Sequence, residues 1–326
     1  MRVFSGIRPT GQIHIGNYFG AIKQWLKLQE TKECLFCIVD LHAITTPYDA
    51  QKLKENILEL AIDYLALGLD PKKSIIFVQS DVKEHLELAW IFGTLTPLGE
   101  LKRMTQFKEK AKKYGALVNA GILNYPLLMA ADILLYKADL VPVGKDQQQH
   151  VELTREIARR FNKKYGQTFK LPSAMLPEFG EKIMSLRDPT KKMSKTDDPM
   201  GCLSVFEEPE IIKEKIKKAV TDPGNEIKYD PKKKPGISNL IQIFSLATEK
   251  KKEEIEKEFE GKGYYLFKEK LAQVLIKKFE KFREKRKKLW QNPSLVQEIL
   301  KKGKKRAEIL AKETMQEVRK KIGLLT

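Results

Sequence analysis

The stretch RVFSGIRPTGQIHIGNYFG, residues Arg2 to Gly20, decides the fold. Its first six residues, Arg2 to Ile7, read as a strand. Pro9, Thr10 and Gly11 form a turn, and from Gly16 a helix carries Phe19, Ile22 and Leu26 on one face. Strand, turn and helix in that order, with glycines where the chain must pass close, bring the backbone up to a bound nucleotide. Amide N–H groups and the positive end of the helix dipole then favour a phosphate. His14 and Asn17 place side-chain hydrogen-bonding groups at the same point.

Working outward, CLFCIVD (34–40), SIIFVQS (74–80) and DLVPVG (139–144) are further strand-length apolar runs, with helical periodicity between them. Asp70-Pro71 and Thr96-Pro97 punctuate the pattern. The expectation is an α/β fold, a Rossmann-like doubly wound parallel sheet with its sites at the carboxyl ends of the strands. After about Leu186 the chain changes to long Lys-rich helical patterns broken by TDPG, DPKKKPG and QNPS, which predict a smaller all-α part. Within it Leu271, Val274, Leu275, Phe279 and Phe282 trace one helical face, and Lys277, Lys281, Lys285 and Lys288 the other.

The 326 residues hold 61 Lys and Arg against 43 Asp and Glu, a net charge of +18 that favours a polyanionic partner. A Lys- and Glu-rich surface of the thermophile kind also fits, and the two readings are compatible. Three cysteines make no disulfide scaffold. Cys34 and Cys37 form a C-x-x-C inside a strand, where that spacing puts them on opposite faces, so they are read as core rather than as a metal or redox pair. Nothing before Phe4 resembles a cleavable apolar leader, and a cytoplasmic location is expected. The apolar window 116–136 approaches bilayer length but contains Asn119, Asn124, Pro126 and Asp132, and it is read as a buried helix with no membrane span.

Asp132 is the specificity clue in that window. Pro126 suits a helix start, from which Met129, Asp132 and Tyr136 share a face, with Tyr125 one turn before Met129. A carboxylate on an apolar face needs a donor. An indole N–H would serve, as would a tyrosine hydroxyl, a backbone amide or an Arg. Downstream, KKMSKTDDP (191–199) sets Lys192 and Lys195 three apart on a polar segment with Met193, Ser194 and Thr196. Paired ammonium groups suit stabilisation of negative charge on phosphate. Lys108 and Lys110 in RMTQFKEK could reach phosphates or lie on the surface. His85 and His150 read as structural or exposed, and no triad or metal-ligand cluster is expected.

PTGQIHIGNYFG and KKMSKTDDP together, in this order, resemble the two ATP-handling signatures of class I aminoacyl-tRNA synthetases. DLHAIT, RMTQFKEK, NYPLLMAADILLY and VPVGKDQQQHVELTREIARRFN, then AVTDPG, KPGISNL and EGKGYYLFK, are similar to the tryptophanyl-tRNA synthetases of bacterial type. The resemblance implies ATP contacts at Arg8, Pro9, Thr10, Gly16, Asn17, Gly144, Lys145, Asp146, Ile183, Lys192, Met193, Ser194, Lys195 and Thr196. Lys192, Lys195, His14 and Asn17 would be catalytic. Lys145 stands where many relatives carry an acid, which leaves its backbone role. An L-tryptophan pocket is implied at Asp132, Phe4, His42, Tyr125, Met129, Val141, Val143 and Gln147. The resemblance further implies ATP as co-substrate with Mg²⁺ bound to it, tRNA(Trp) as partner and a homodimer. It divides the chain into a catalytic domain 1–186, an anticodon-binding helical domain 187–298 and a C-terminal helix 299–326 packing back on the catalytic domain. A tyrosine-specific synthetase, a nucleotidyltransferase of the same superfamily and a non-catalytic RNA-binding module are the rival readings.

Overall fold

The computed structural model describes residues 1–176, 182–194 and 198–325. Lys195 and Thr196 lie outside the described residues. In chain order the first part is β1 (Arg2–Ile7), α1 (Ile15–Asn17), a π-helical turn (Tyr18–Ile22), α2 (Lys23–Leu28), β2 (Glu33–Ile38), α3 (Asp40–Ala43), α4 (Ala50–Leu67), β3 (Ser74–Val78), α5 (Glu84–Gly93), α6 (Leu98–Arg103), α7 (Thr105–Tyr114), α8 (Ala120–Leu135), β4 (Leu140–Pro142), α9 (Gln148–Tyr165) and β5 (Ser173–Met175). The second part is helical: α10 (Pro209–Lys218), α11 (Pro235–Thr248), α12 (Lys252–Glu258), α13 (Gly263–Trp290) and α14 (Pro293–Ile322).

The strands form one parallel sheet in the order β3-β2-β1-β4-β5. The connections run outward from β1 through β2 to β3, then return to place β4 on the other side of β1. That reversal opens a crevice between the carboxyl ends of β1 and β4, the place where a doubly wound sheet binds its ligands. The register runs from Arg2 opposite Glu33 to Ile7 opposite Ile38, and Val3 lies opposite Leu140. Both faces of the sheet are covered, which is why β2 is nearly all apolar. Cys34, Phe36 and Ile38 enter one core cluster and Leu35 and Cys37 the other, so the two cysteines point to opposite faces. Both are buried free thiols.

β5 escaped the sequence reading because Ser173-Ala174-Met175 has no β-branched residue and only three positions. Helix α8 corrects another expectation. It starts at Ala120, not at Pro126, because the Asn119 side chain caps it by accepting from the Ile122 N–H at 3.0 Å. Pro126 then sits inside the helix at a cost that the buried turns around it offset.

The last helix begins at Pro293, earlier than the expected residue 299, and lies along the free edge of β3. A Cβ on Gly303 would stand 1.8 Å from the Ile76 carbonyl oxygen, so only glycine permits this approach. Nearby, the Arg306 guanidinium donates to the carbonyls of Pro71 and Ser74, both at 3.2 Å. An exposed strand edge is thereby covered by helix. Among the described residues no helix is long and apolar enough to cross a membrane.

Candidate active site

Two adjoining cavities open at the crevice, of about 420 and 560 Å³, and Ile7 and Arg8 at the end of β1 line both. The first is walled by Phe4 from β1, Val141 and Val143 from β4 and its exit, and Tyr125, Met129 and Asp132 from α8. His42 of α3 and Gln147 complete the expected set, so all eight side chains assigned to an amino-acid pocket face one cavity.

Asp132 is 1% exposed and holds three partners. His42 Nε2 is 2.8 Å from Oδ2, while the Gln79 amide donates to Oδ1 at 2.7 Å and His85 Nδ1 lies 2.6 Å from the same oxygen. Both imidazoles must present an N–H to the carboxylate, and the other ring nitrogen of His85, Nε2, lies 2.8 Å from the Tyr136 hydroxyl. Burial alone would raise the Asp132 carboxyl, but hydrogen bonds and charge from His42 and His85 outweigh it and hold it well below the usual carboxylate range. It is therefore ionised at neutral pH. A carboxylate accepts about four hydrogen bonds, and these three leave one site on Oδ2.

Gln79 and His85 were not assigned a site role from the sequence. His85 is fully buried, not exposed, and the same is true of His150, whose Nε2 pairs with the Tyr125 hydroxyl at 2.7 Å. Gln79 follows β3 and His85 opens α5. Glutamine at a strand's carboxyl end, then His at the start of the next α-helix, was the available signal.

Lys110 of α7 also lines the first cavity, with Nζ 3.9 Å from the centroid of the Tyr125 ring. Burial, then the Arg8 charge, lowers it to about 8. Burial and Lys110 lower His150 to about 4, so that ring is neutral. Lys108 is exposed and lines neither cavity.

The second cavity is lined by Thr10, His14, Gly16 and Asn17 on one side and Lys191, Lys192, Met193 and Ser194 on the other. His14 packs on Gly16, where a Cβ would meet its ring at 2.8 Å. The Asn17 side chain accepts from the His14 N–H at 3.4 Å. Residues 191–193 pair with 183–185: Met193 N–H donates to Ile183 at 3.0 Å and Ser185 N–H to Lys191 at 2.8 Å. Asn239 of α11 pins that hairpin with reciprocal bonds to Met184, at 2.9 and 3.0 Å.

Gly144 and Asp146 face the first cavity, and a Cβ on Gly144 would meet Asp146 Oδ1 at 2.6 Å. Burial pushes the Asp146 carboxyl up, but the Gln147 amide and the Lys192 charge more than cancel it, leaving the carboxyl below its ordinary value. Lys192 in one cavity is thus felt in the other. Three expected contacts lie outside both linings: Pro9 is buried, Lys145 is exposed, and Ile183 is buried against Gly16.

The first cavity thus sets the buried, ionised Asp132 among apolar walls with Asp146 also in its lining, and it meets a second cavity lined by Lys191 and Lys192 at Ile7 and Arg8. The family described as "tRNA synthetases class I (W and Y)" matches residues 1–280. The tryptophan–tRNA ligase of Caldanaerobacter subterraneus subsp. tengcongensis is 51% identical over 325 residues, 99% of this chain and 98% of that protein. The chain belongs to the tryptophan–tRNA ligases of class I. Among solved structures, the tryptophanyl-tRNA synthetase of Mycoplasma pneumoniae superposes with a TM-score of 0.90 at 35% identity, covering 99% of this chain and 98% of that one. That of Campylobacter jejuni, complexed with ADP and tryptophan, gives 0.86 at 40% identity, covering 99% and 100%. The family's fold, a Rossmann-like sheet with a helical part, is the fold found here.

Proposed function

We propose that the two cavities are the two halves of a tryptophan–tRNA ligase site, with tryptophan in the first and the phosphates of ATP in the second, its ribose reaching Gly144 and Asp146 of the first. One observation carries the reading. Asp132 is ionised, buried and fixed by three donors, with a single acceptor position left on the oxygen beside His42. An indole N–H is a donor only and fills that position, while Phe4, Tyr125, Met129, Val141 and Val143 pack the ring. Gln147 at the mouth suits the substrate's ammonium and carboxylate end.

The carboxylate then points towards Arg8 and the second cavity. One of its oxygens attacks the α-phosphorus of ATP, the bond from that phosphorus to the bridging oxygen breaks, and pyrophosphate leaves. Such transfer runs on positioning and charge stabilisation. Lys191 and Lys192 face the leaving group, joined by Lys195 and the Thr196 hydroxyl from the sequence reading. His14 and Asn17, at the turn into α1, hold the other side. Gly144, Lys145 through its backbone and Asp146 address the ribose, and Met193, Ser194 and Ile183 the adenine end.

Mg²⁺ would enter on the phosphates and keep most of its waters, neutralising charge there. The cationic lining suits phosphates, and among the described residues no cluster of His, Cys, Asp or Glu could hold a metal by itself. In the second half-reaction a terminal ribose hydroxyl of tRNA(Trp) attacks the carbonyl carbon and AMP departs. The exposed Lys277, Lys281, Lys285 and Lys288 face of α13 suits the RNA backbone. We assign the helical part, 187–298, to the anticodon arm and place the enzyme in the cytoplasm as a homodimer. Pyrophosphate–ATP exchange with tryptophan and no tRNA tests the first half-reaction. Charging of a tRNA(Trp) transcript, with sedimentation of the free protein, tests the rest.

A further inference from the structure

Helix α13 meets α4 at a partly buried ion cluster whose Arg286 and Asp63 are 223 residues apart in sequence. Arg286 Nε donates to Asp63 Oδ1 at 2.6 Å, and Nη2 donates to Glu59 at 2.5 Å, both acids on α4. The guanidinium also lies over the rings of Phe206 and Trp290, 4.9 and 5.6 Å from their centroids. Asp63 is completely buried, and its other oxygen accepts from the Ile13 N–H at 3.5 Å.

Ile13 is the residue before His14. Its carbonyl accepts from Val205 N–H at 3.0 Å and from the Ser204 hydroxyl at 3.3 Å, while Ile15 N–H donates to Leu203 at 2.9 Å. The segment that carries His14 is thus laced to 203–205, which follows the lysine segment. Arg286 braces both: it holds Asp63 under Ile13 and packs on Phe206, the residue after 203–205. One and two turns back on α13, Phe282 and Phe279 pack against Tyr18, each with ring centroids 5.6 Å away.

Resting on the reading of the second cavity as the ATP site, we propose that Arg286 and Asp63 are positioning residues for ATP, setting where His14 stands opposite Lys192. Neither lines a cavity, so both act through the backbone they hold. Burial pushes the Asp63 carboxyl up to about 6 although Arg286 pulls it down. Without the guanidinium it would rise further, carry less charge and hold Ile13 less firmly. The tryptophan cavity has no share in this cluster, so the two substrates should separate cleanly.

The test is equilibrium titration of the full chain with ATP·Mg²⁺ and, separately, with tryptophan. Arg286→Met should weaken ATP about tenfold, a fraction of an ångström of misplacement at His14, and leave tryptophan within about twofold. Asp63→Asn keeps the shape and one oxygen, is the milder second variant should Arg286→Met fail to fold, and should weaken ATP by about threefold or more. Arg286→Lys should recover part of the loss, since an ammonium reaches Asp63 but cannot also span Glu59 and stack on Phe206. Unchanged ATP affinity in folded Asp63→Asn and Arg286→Met, or equal losses for both ligands, overturns the proposal. Pyrophosphate exchange by the wild type that ignores tryptophan would instead sink the functional reading and leave the ATP titration to judge the joint.

Discussion

The two cavities are built in opposite ways. The cavity we assign to tryptophan is finished before any ligand arrives: its carboxylate is buried, ionised and held by His42, Gln79 and His85, and His85 is in turn held by Tyr136. Its walls come from a strand end and the buried helix α8. The phosphate cavity is made of turns and a short hairpin, and its lysines, 191 and 192, are exposed. Selectivity between similar side chains needs a polar group that cannot relax, because an unfilled or mispaired buried carboxylate is costly. Stabilising a phosphate needs only cations that the ligand itself can gather. One region is preorganised and the other waits for its charge.

That contrast predicts which kinetic constant each mutation moves. Lys192→Ala should lower kcat for pyrophosphate exchange about 10²- to 10³-fold, as loss of a charge-stabilising donor does, with tryptophan affinity within about twofold. A matching loss of tryptophan binding would mean that the cavities are not separable. Asp132→Asn removes the charge but not the shape. It should raise KM for tryptophan about tenfold to a hundredfold, the worth of a hydrogen bond to a charged group, and leave KM for ATP alone. Equal loss of both would make Asp132 a structural residue.

His85→Phe tests preorganisation itself, since His85 is shielded from the cavity by the carboxylate it holds. KM for tryptophan should rise about fivefold to tenfold while kcat holds, and no change would show that Asp132 needs no third anchor. The smallest effect is a pH dependence. Lys110, lowered to about 8, is a cation below that pH and loses its charge above it. For an anionic substrate kcat/KM should therefore fall severalfold from about pH 7.5 to 9.5, and Lys110→Met should flatten that limb. The same shift has a stability sign. The fold disfavours charged Lys110, so its contribution to stability rises with pH from the folded value towards the ordinary one, and Lys110→Met should raise Tm slightly at pH 7.

The phosphate cavity was the more legible of the two, because its parts are local. Turn, glycine and lysine spacings state their chemistry within a dozen residues, and β1 with the turn after it could be read directly. Asp132 was legible as a carboxylate in an apolar helix, but its partners were not. Gln79, His85 and His42 lie 53, 47 and 90 residues away, and periodicity says which face a residue takes, not which distant face it meets. Arg286 shows the same limit, because on a Lys-rich helix it reads as one more solvated cation. Pro126 misled for a different reason. Its local preference for a first turn lost to the Asn119 cap and to burial on all sides.

The most direct test is pyrophosphate–ATP exchange on the wild-type chain with each of the twenty amino acids and no tRNA. The account predicts tryptophan-dependent exchange, with tyrosine lower by about two orders of magnitude or more, because a phenol cannot both fill the cavity and reach Asp132 as an indole does. Exchange that is equal with tyrosine, or indifferent to the amino acid supplied, would contradict it.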